Sequence, residues 1–508
     1  MTARRPLAMP IVAGLALLQL LLHFAGNESY GLFRDELYYL DCADHLAFGY
    51  VDHPPLSVAV LAATKAVLGD SQVAIRLWPA LLGAALVLLA GLLAAELGGD
   101  LFAQTVAALA ALFAPAYAAL TGFYSMNAFE LVLWALAFLV LARFLRTGDS
   151  RLWLLLGLVL GLGLLNKLSA LFLMAGIGSG LLLTAQRRAL RGRWLWLGLG
   201  IALLLFLPHV LWQVAHGWPT LEFIRNAQAY KIAPMAPQDF LASQFIAMGP
   251  ANLPVWIAGL LFLFFAPAGR RARLFAWIWL VTLAILVSTR SKPYYLAPAF
   301  LPLLAAGGVA LERWLDRRAL RVVQTALVAL VVAGGLVVQP LARPLLAPPD
   351  LMVHLERLGL AVPPGERQEE GPLPQHFADR IGWEEMVEVV ARVYATLPPP
   401  ERAACGILAS NYGEAGAINY YGPRHGLPRA VSGHNNYFLW GPGNLSPQVF
   451  IAIGYELDDL APYAETVELA ATHVSPYAMP YESNLPIYVA RGLKVPLAEA
   501  WLRAKKFI

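Results

Sequence analysis

The sequence predicts a polytopic α-helical membrane protein of about 11 spans followed by a C-terminal extracytoplasmic α/β domain. Three observations carry that prediction. The 508 residues are 59% hydrophobic and only 14% charged, with a mean hydropathy of +0.59, whereas soluble domains carry about a quarter charged residues. Apolar runs of roughly 17–25 residues, each able to cross ~30 Å of hydrocarbon, recur through the first two thirds of the chain. Arginine clusters fall on alternate connections between those runs. The formal net charge of +4 gives no nucleic-acid footprint, and the two cysteines, Cys42 and Cys405, exclude a disulfide framework and lack zinc-finger spacing.

The runs lie near 8–26, 73–97, 102–120, 126–145, 152–166, 168–185, 194–211, 253–267, 273–288, 294–311 and 321–339. They are rich in Leu, Ala and Val and too long for barrel strands, so helices are expected. The basic clusters are Arg4 and Arg5; Arg143, Arg146 and Arg151; Arg187, Arg188, Arg191 and Arg193; Arg270, Arg271 and Arg273; and Arg313, Arg317, Arg318 and Arg321. All share one side of the alternating arrangement, which the positive-inside rule makes cytoplasmic. The N-terminus is then inside, the first run is an uncleaved anchor, and residues beyond about 340 are outside. The expected division is 1–340 for the membrane domain and 341–508 for an outer, periplasmic domain.

Two outside loops are long, roughly 27–72 and 212–252. Within the first, residues 33–47 place Phe33, Leu37, Leu40 and Ala47 on one helical stripe and Asp35, Tyr38, Tyr39 and Cys42 on another. Such a helix is expected to lie along the membrane surface, and 56–68 reads similarly. Charged residues near the spans gather at the outer level: Asp35, Glu36, Asp52, His53, Glu130, Lys167, Arg290 and Lys292. The bilayer centre is almost free of ionisable groups, and no inverted repeat is visible, which disfavours a secondary transporter. After Pro340, Pro344, Pro348 and Pro349, and a second proline-rich stretch around Pro363, Pro364, Pro372 and Pro374, a helix over 383–397 is expected. Strands are expected at 404–409, 449–454, 466–471 and 485–491.

The first loop reads Arg34-Asp35-Glu36-Leu37-Tyr38-Tyr39, then Tyr50-Val51-Asp52-His53-Pro54-Pro55-Leu56. A carboxylate directly after the first span, followed by an acidic/basic pair before Pro-Pro-Leu, resembles the GT-C membrane glycosyltransferases. Within these it is most similar to bacterial relatives of the protein O-mannosyltransferases and of the lipid A aminoarabinose and galacturonic acid transferases. The likeness extends to the Lys292-Pro293-Tyr294-Tyr295-Leu296-Ala297-Pro298 stretch. It also reaches the segment Asn411-Tyr412-Gly413-Glu414, with Ser432-Gly433-His434-Asn435-Asn436 and Trp440-Gly441-Pro442.

The resemblance implies transfer of a sugar from a polyprenyl-phosphate donor to an acceptor hydroxyl on a lipid, protein or glycan. By motif Asp35 is the general base and Glu36 the second choice. An attacking hydroxyl needs a base within hydrogen-bond reach, and a departing phosphate needs cations or strong donors. His53 stands where the aminoarabinose transferases carry a Lys, and a neutral imidazole is the weaker phosphate clamp. Tyr39 and Tyr295 match donor-contacting tyrosines, and Lys167, Arg290 and Lys292 are candidate phosphate contacts. Asp52 occupies an acidic position that helps bind a divalent metal in the aminoarabinose enzymes, although 221–232 lacks the His that completes that site.

Each residue also has a plain structural reading. Asp35 and Glu36 can cap a surface helix, and Asp52-His53 can form a turn. Lys167, Arg290 and Lys292 can anchor at the interface, Tyr294 and Tyr295 can belong to an aromatic belt, and Glu130 can be a helix N-terminal charge. A transporter or flippase of lipid-linked sugars is the rival function; it needs no base.

Overall fold

The computed structural model describes residues 6–25, 30–316, 320–359 and 366–508. Arg4, Arg5, Arg317, Arg318, Pro363 and Pro364, used above, lie outside the described residues. By packing, the chain forms two compact units. One comprises Met1–Glu28, Arg76–Trp212 and Ile232–Leu346, the other Ser29–Ile75, Gln213–Lys231 and Ala347–Ile508. The grouping is not the linear division at residue 340: most of the first long loop and part of the second pack with the C-terminal segment.

In the first unit, all the expected apolar runs are helical. Among the described residues, six helices are long and apolar enough to cross a membrane: Gln72–Glu96, Met126–Thr147, Arg193–Ala215, Pro267–Ser288, Pro293–Trp314 and Arg321–Leu341. The runs at 168–185 and 253–267 fall on bent pairs, Ala170–Leu182 with Ala185–Arg191 (109°) and Pro237–Met248 with Pro250–Phe265 (93°). The second bend is made at Gly249, whose φ of +84° suits a residue without a Cβ. The remaining runs fall on shorter apolar helices, Met9–Ala25, Leu101–Phe113 and Leu152–Asn166. The run at 102–120 is shortened because Ala114, ahead of Pro115, is extended (φ −70°, ψ 116°), and the chain resumes as Pro115–Leu120.

Small residues let these helices approach closely, as expected where lipid tails supply no hydrophobic drive between helices. A Cβ on Gly259 would strike the Leu303 carbonyl, and one on Gly307 would strike the Val255 carbonyl. The helix Leu253–Phe265 therefore sits backbone to backbone against Leu301–Trp314.

The second unit is α/β. Its strands are β1 (Gly406–Ala409), β2 (Ala430–Ser432), β3 (Val449–Ile453), β4 (Ala464–His473) and β5 (Leu485–Leu493), in the order β2-β1-β3-β5-β4. β1 runs parallel to β2 and β3, while β5 is antiparallel to β3 and β4. Four strands and the helix Trp383–Thr396 match the expected segments. β2, three residues long, has no periodicity to betray it.

The first-loop helix Arg34–Asp44 differs from expectation. It is buried on both stripes, with Leu37, Tyr38, Tyr39, Leu40, Asp41 and Cys42 all inside. It packs against the helix Tyr412–Tyr421, where a Cβ on Gly416 would meet the Leu37 backbone at 2.9 Å. Its polar stripe meets partners supplied 377 and 398 residues later in the chain, Tyr412 at Asp35 and Asn436 at Tyr38.

Candidate functional site

In the α/β unit, Asp35 sits in the first turn of Arg34–Asp44. The Tyr412 hydroxyl donates to Asp35 Oδ1 at 3.0 Å, while Oδ2 accepts no hydrogen bond from the described residues. Burial raises the Asp35 carboxyl above the ordinary aspartate value; the Tyr412 bond and the charges of Arg34 and Lys231 oppose that rise, and Asp52 adds to it. Tyr412 is aimed by its own helix cap: Asn411 Oδ1 accepts from the Gly413 and Glu414 amides at 2.8 and 3.1 Å. The Arg34 guanidinium lies 4.5 Å from the Tyr412 ring centroid. It also donates to the Tyr481 hydroxyl at 2.9 Å, which in turn donates to Asp379 Oδ1 at 3.1 Å. Burial pushes Asp379 up to about 6, against the pull of Arg34.

Glu36 is turned away from Asp35. Its Oε2 accepts the Phe33 amide at 2.8 Å, satisfying one backbone donor at the start of the helix, and the side chain is fully buried. Asp52 Oδ1 accepts from the Tyr38 hydroxyl at 2.9 Å. The Tyr38 and Tyr412 rings are 4.9 Å apart, so two neighbouring tyrosines hold the two carboxylates. Among the described residues no three His, Cys, Asp or Glu side chains group to hold a metal ion. The Asp52 carboxylate orients the Tyr38 hydroxyl.

His53 is buried and stacks on Tyr39 with centroids 4.6 Å apart and planes at 14°. Its Nδ1 lies 3.0 Å from the Pro54 carbonyl. A carbonyl only accepts, so Nδ1 carries a proton toward Pro54. Nε2 is buried without a hydrogen-bond partner, 3.9 Å from Asp52 Oδ1. The loop carrying His53 is fixed by Asn436, whose Oδ1 accepts the Val51 amide at 2.6 Å.

The membrane unit holds its own polar cluster. Ser125 caps the helix Met126–Thr147, which presents Asn127 and Glu130. Lys167, at the end of Leu152–Asn166, donates to Asn127 Oδ1 at 2.8 Å and to Glu130 Oε2 at 2.7 Å. The Ser169 hydroxyl donates to the other Glu130 oxygen. The Lys167 ammonium lies 4.2 Å from the Tyr295 ring centroid and 5.7 Å from that of Tyr294. Two expected site residues, Lys167 and Tyr295, therefore meet. Lys167 is a buried, paired ammonium rather than an interfacial anchor, because Glu130, read as a helix-end charge, reaches it. Arg290 is exposed, with a left-handed backbone (φ +51°) at the end of Arg273–Ser288. Lys292 is half-buried, directly before Pro293–Phe300.

Sequence reasoning did not give functional weight to Arg34, Asp379, Tyr412 or Glu130. Arg34 and Tyr412 each carried a signal, since Arg34-Asp35-Glu36 and Asn411-Tyr412-Gly413-Glu414 were both part of the family resemblance.

The two long loops, the apolar helices and the appended sheet are those of the GT-C membrane glycosyltransferase fold, as the first-loop motif indicated. Residues 52–212 match the family model described as Dolichyl-phosphate-mannose-protein mannosyltransferase. The chain is similar in structure to ArnT from Cupriavidus metallidurans. The apo form aligns with a TM-score of 0.64 at 15% identity, and the form bound to undecaprenyl phosphate with 0.59 at 17%; each alignment covers 95% of this chain and 98% of the other. The archaeal oligosaccharyltransferase AglB from Archaeoglobus fulgidus aligns with a TM-score of 0.50 at 12% identity, over 88% of this chain and 69% of that one. No curated protein matches the sequence.

Proposed function

We propose that this protein is a glycosyltransferase that moves a sugar from a polyprenyl-phosphate donor to an acceptor hydroxyl on a lipid, protein or glycan, with Asp35 as general base. It acts at the outer face of a bacterial inner membrane, with about eleven spans, a cytoplasmic N-terminus and residues 341–508 in the periplasm. The observation that carries this reading is Asp35 itself. One carboxylate oxygen is held by Tyr412 at 3.0 Å and the other is left open, within the motif of the family. Binding of undecaprenyl phosphate by ArnT supports the donor class.

The reaction follows from the groups present. Asp35 Oδ2 takes the acceptor proton as the acceptor oxygen bonds to the anomeric carbon. The bond from that carbon to the phosphate oxygen breaks, its electron pair stays on the phosphate, and polyprenyl phosphate leaves. A single displacement inverts the anomeric centre. Tyr39 and His53 contact the donor, and His53 clamps phosphate only when Nε2 gains a proton. Lys167, Arg290, Lys292 and Tyr295 serve the donor phosphate, and Glu130 holds the Lys167 ammonium in place. The sugar is a hexose or a pentose.

The test is mass spectrometry of envelope lipids and glycoproteins from cells with the gene, without it, and with Asp35→Asn. One glycosyl mass disappears on deletion and stays absent with Asp35→Asn, while the variant is inserted and folded. Restoration of that mass by Asp35→Asn would remove the base assignment; retained export of lipid-linked sugar without transfer would favour the flippase.

A further inference from the structure

Arg34 opens the helix Arg34–Asp44, one residue before the carboxylate assigned as base, and is only 6% exposed. No carboxylate among the described residues pairs directly with its guanidinium. Nη1 instead donates to the Tyr481 hydroxyl at 2.9 Å, which passes the contact on to Asp379 Oδ1 at 3.1 Å. Nε is buried with no hydrogen-bond partner. The guanidinium carbon lies 4.5 Å from the Tyr412 ring centroid and 5.3 Å from that of Tyr481. A buried charge held mainly between two aromatic rings is costly, and direct pairing with Asp379 would compensate it better. Native proteins keep such local costs where function needs the arrangement.

The surroundings fix the guanidinium over the Tyr412 ring. The Asp379 carbonyl accepts both the Arg34 amide at 2.9 Å and Trp383 Nε1 at 3.0 Å, so the start of the helix is tied to the residue that anchors Tyr481. At Gly413 a Cβ would come within 2.7 Å of Arg34 Cγ and 2.8 Å of Trp383 Cη2, so the glycine after Tyr412 leaves the space that Arg34 fills. Tyr38 and His434 pack on the same ring, with centroids 4.9 and 4.8 Å away. We propose that Arg34, tethered through Tyr481 to Asp379, is a positioning residue for the base: it seats the Tyr412 ring so that its hydroxyl meets Asp35, and it sets a fixed positive charge beside that hydrogen bond. This role exists only if Asp35 is the general base proposed above. The charges acting on Asp35 are those of Arg34, Lys231 and Asp52, with Tyr412 as donor; Tyr412, Tyr481, Glu482 and Asp379 act on Arg34. A cation over the ring makes the phenol a stronger donor, and both effects favour the ionised carboxylate.

The test is an infrared pH titration of the full chain in detergent, in which the protonated-carboxyl band that Asp35→Asn removes reports Asp35. Arg34→Gln takes away the charge and moves the Asp35 titration upward by about one pH unit, as loss of a nearby opposite charge implies. Tyr481→Phe keeps the ring but frees Nη1 to reach Asp379 directly. The charge then withdraws from Tyr412, and the titration moves upward by a smaller amount. Combining the two changes moves it no further than Arg34→Gln alone, because Tyr481 acts through Arg34. A merely structural role would lower Tm and leave this titration in place. An Asp35 titration unmoved in Arg34→Gln and Tyr481→Phe overturns the proposal and leaves the base assignment standing; Tyr481→Phe alone decides the matter should Arg34→Gln not fold. Glycosyl product made by Asp35→Asn cells removes the base assignment, and this role with it, whatever the titration shows.

Discussion

Asp35 is useful as a base only when ionised, and its surroundings pull both ways. Burial favours the neutral acid, while the Tyr412 hydroxyl and the Arg34 charge favour the carboxylate. Activity that depends on the carboxylate rises with pH through the Asp35 pKa. Tyr412→Phe keeps the ring between Arg34 and Tyr38 but removes the donor, so the acidic limb of the pH–rate profile moves upward. A hydrogen bond to a charged group, worth ~1.5–3 kcal/mol, corresponds to a shift of roughly one to two pH units. A pH–kcat/KM series on wild type and variant measures this; a superimposable acidic limb would show that Tyr412 does not hold the reacting carboxylate. Asp41 in the same helix shows how much polar packing this segment carries, since its carboxylate takes Asn419 at 2.6 Å, Arg429 at 2.7 Å and the Tyr437 hydroxyl.

At the scale of elements, Lys167 and Glu130 join the end of Leu152–Asn166 to the second turn of Met126–Thr147. The pair is almost fully buried, with side-chain exposures of 8% and 3%, so removing one partner strands the other charge. Lys167→Met alone is expected to cost about 3–5 kcal/mol, whereas the double change Lys167→Met with Glu130→Leu should recover most of that loss. Thermal unfolding of the singles and the double in one detergent provides the cycle; additive losses would mean the pair is not coupled. Gly259 and Gly307 make a second element-level joint. Gly307→Leu forces the helices Leu253–Phe265 and Leu301–Trp314 apart and should lower the yield of folded protein on size-exclusion chromatography.

Across the molecule, the α/β unit buries more acid than its surface requires. Glu414 is pushed up to about 7 by burial, against the Ser410 hydrogen bonds and the charges of Arg34 and Lys506. Glu482, bridged to it through Asn411 Nδ2, is raised further by burial and by Glu414. The folded state keeps the Glu414 proton between its ordinary value of 4.5 and about 7, where the unfolded chain has released it. Stability therefore falls as pH rises through that window, by up to about 1.4 kcal/mol per pH unit for one group. His434, whose value burial lowers, opposes this trend below its ordinary 6.5. Glu414→Gln stays neutral at every pH and should flatten the decline of Tm between pH 4.5 and 7; an unchanged slope would show that Glu414 is ionised in the folded state.

The sequence by itself determined the helical membrane character, the position of every apolar run and the motif around Asp35, because hydropathy and helical periodicity are local and add up within one segment. It also carried the helix Trp383–Thr396 and four of the strands. It did not reveal that Glu130 reaches Lys167 or that Tyr412 reaches Asp35, which are 37 and 377 residues apart. Nor did it reveal that Arg34–Asp44 is buried on both faces. A polar stripe looks the same whether water or another helix satisfies it, and only tertiary packing decides which.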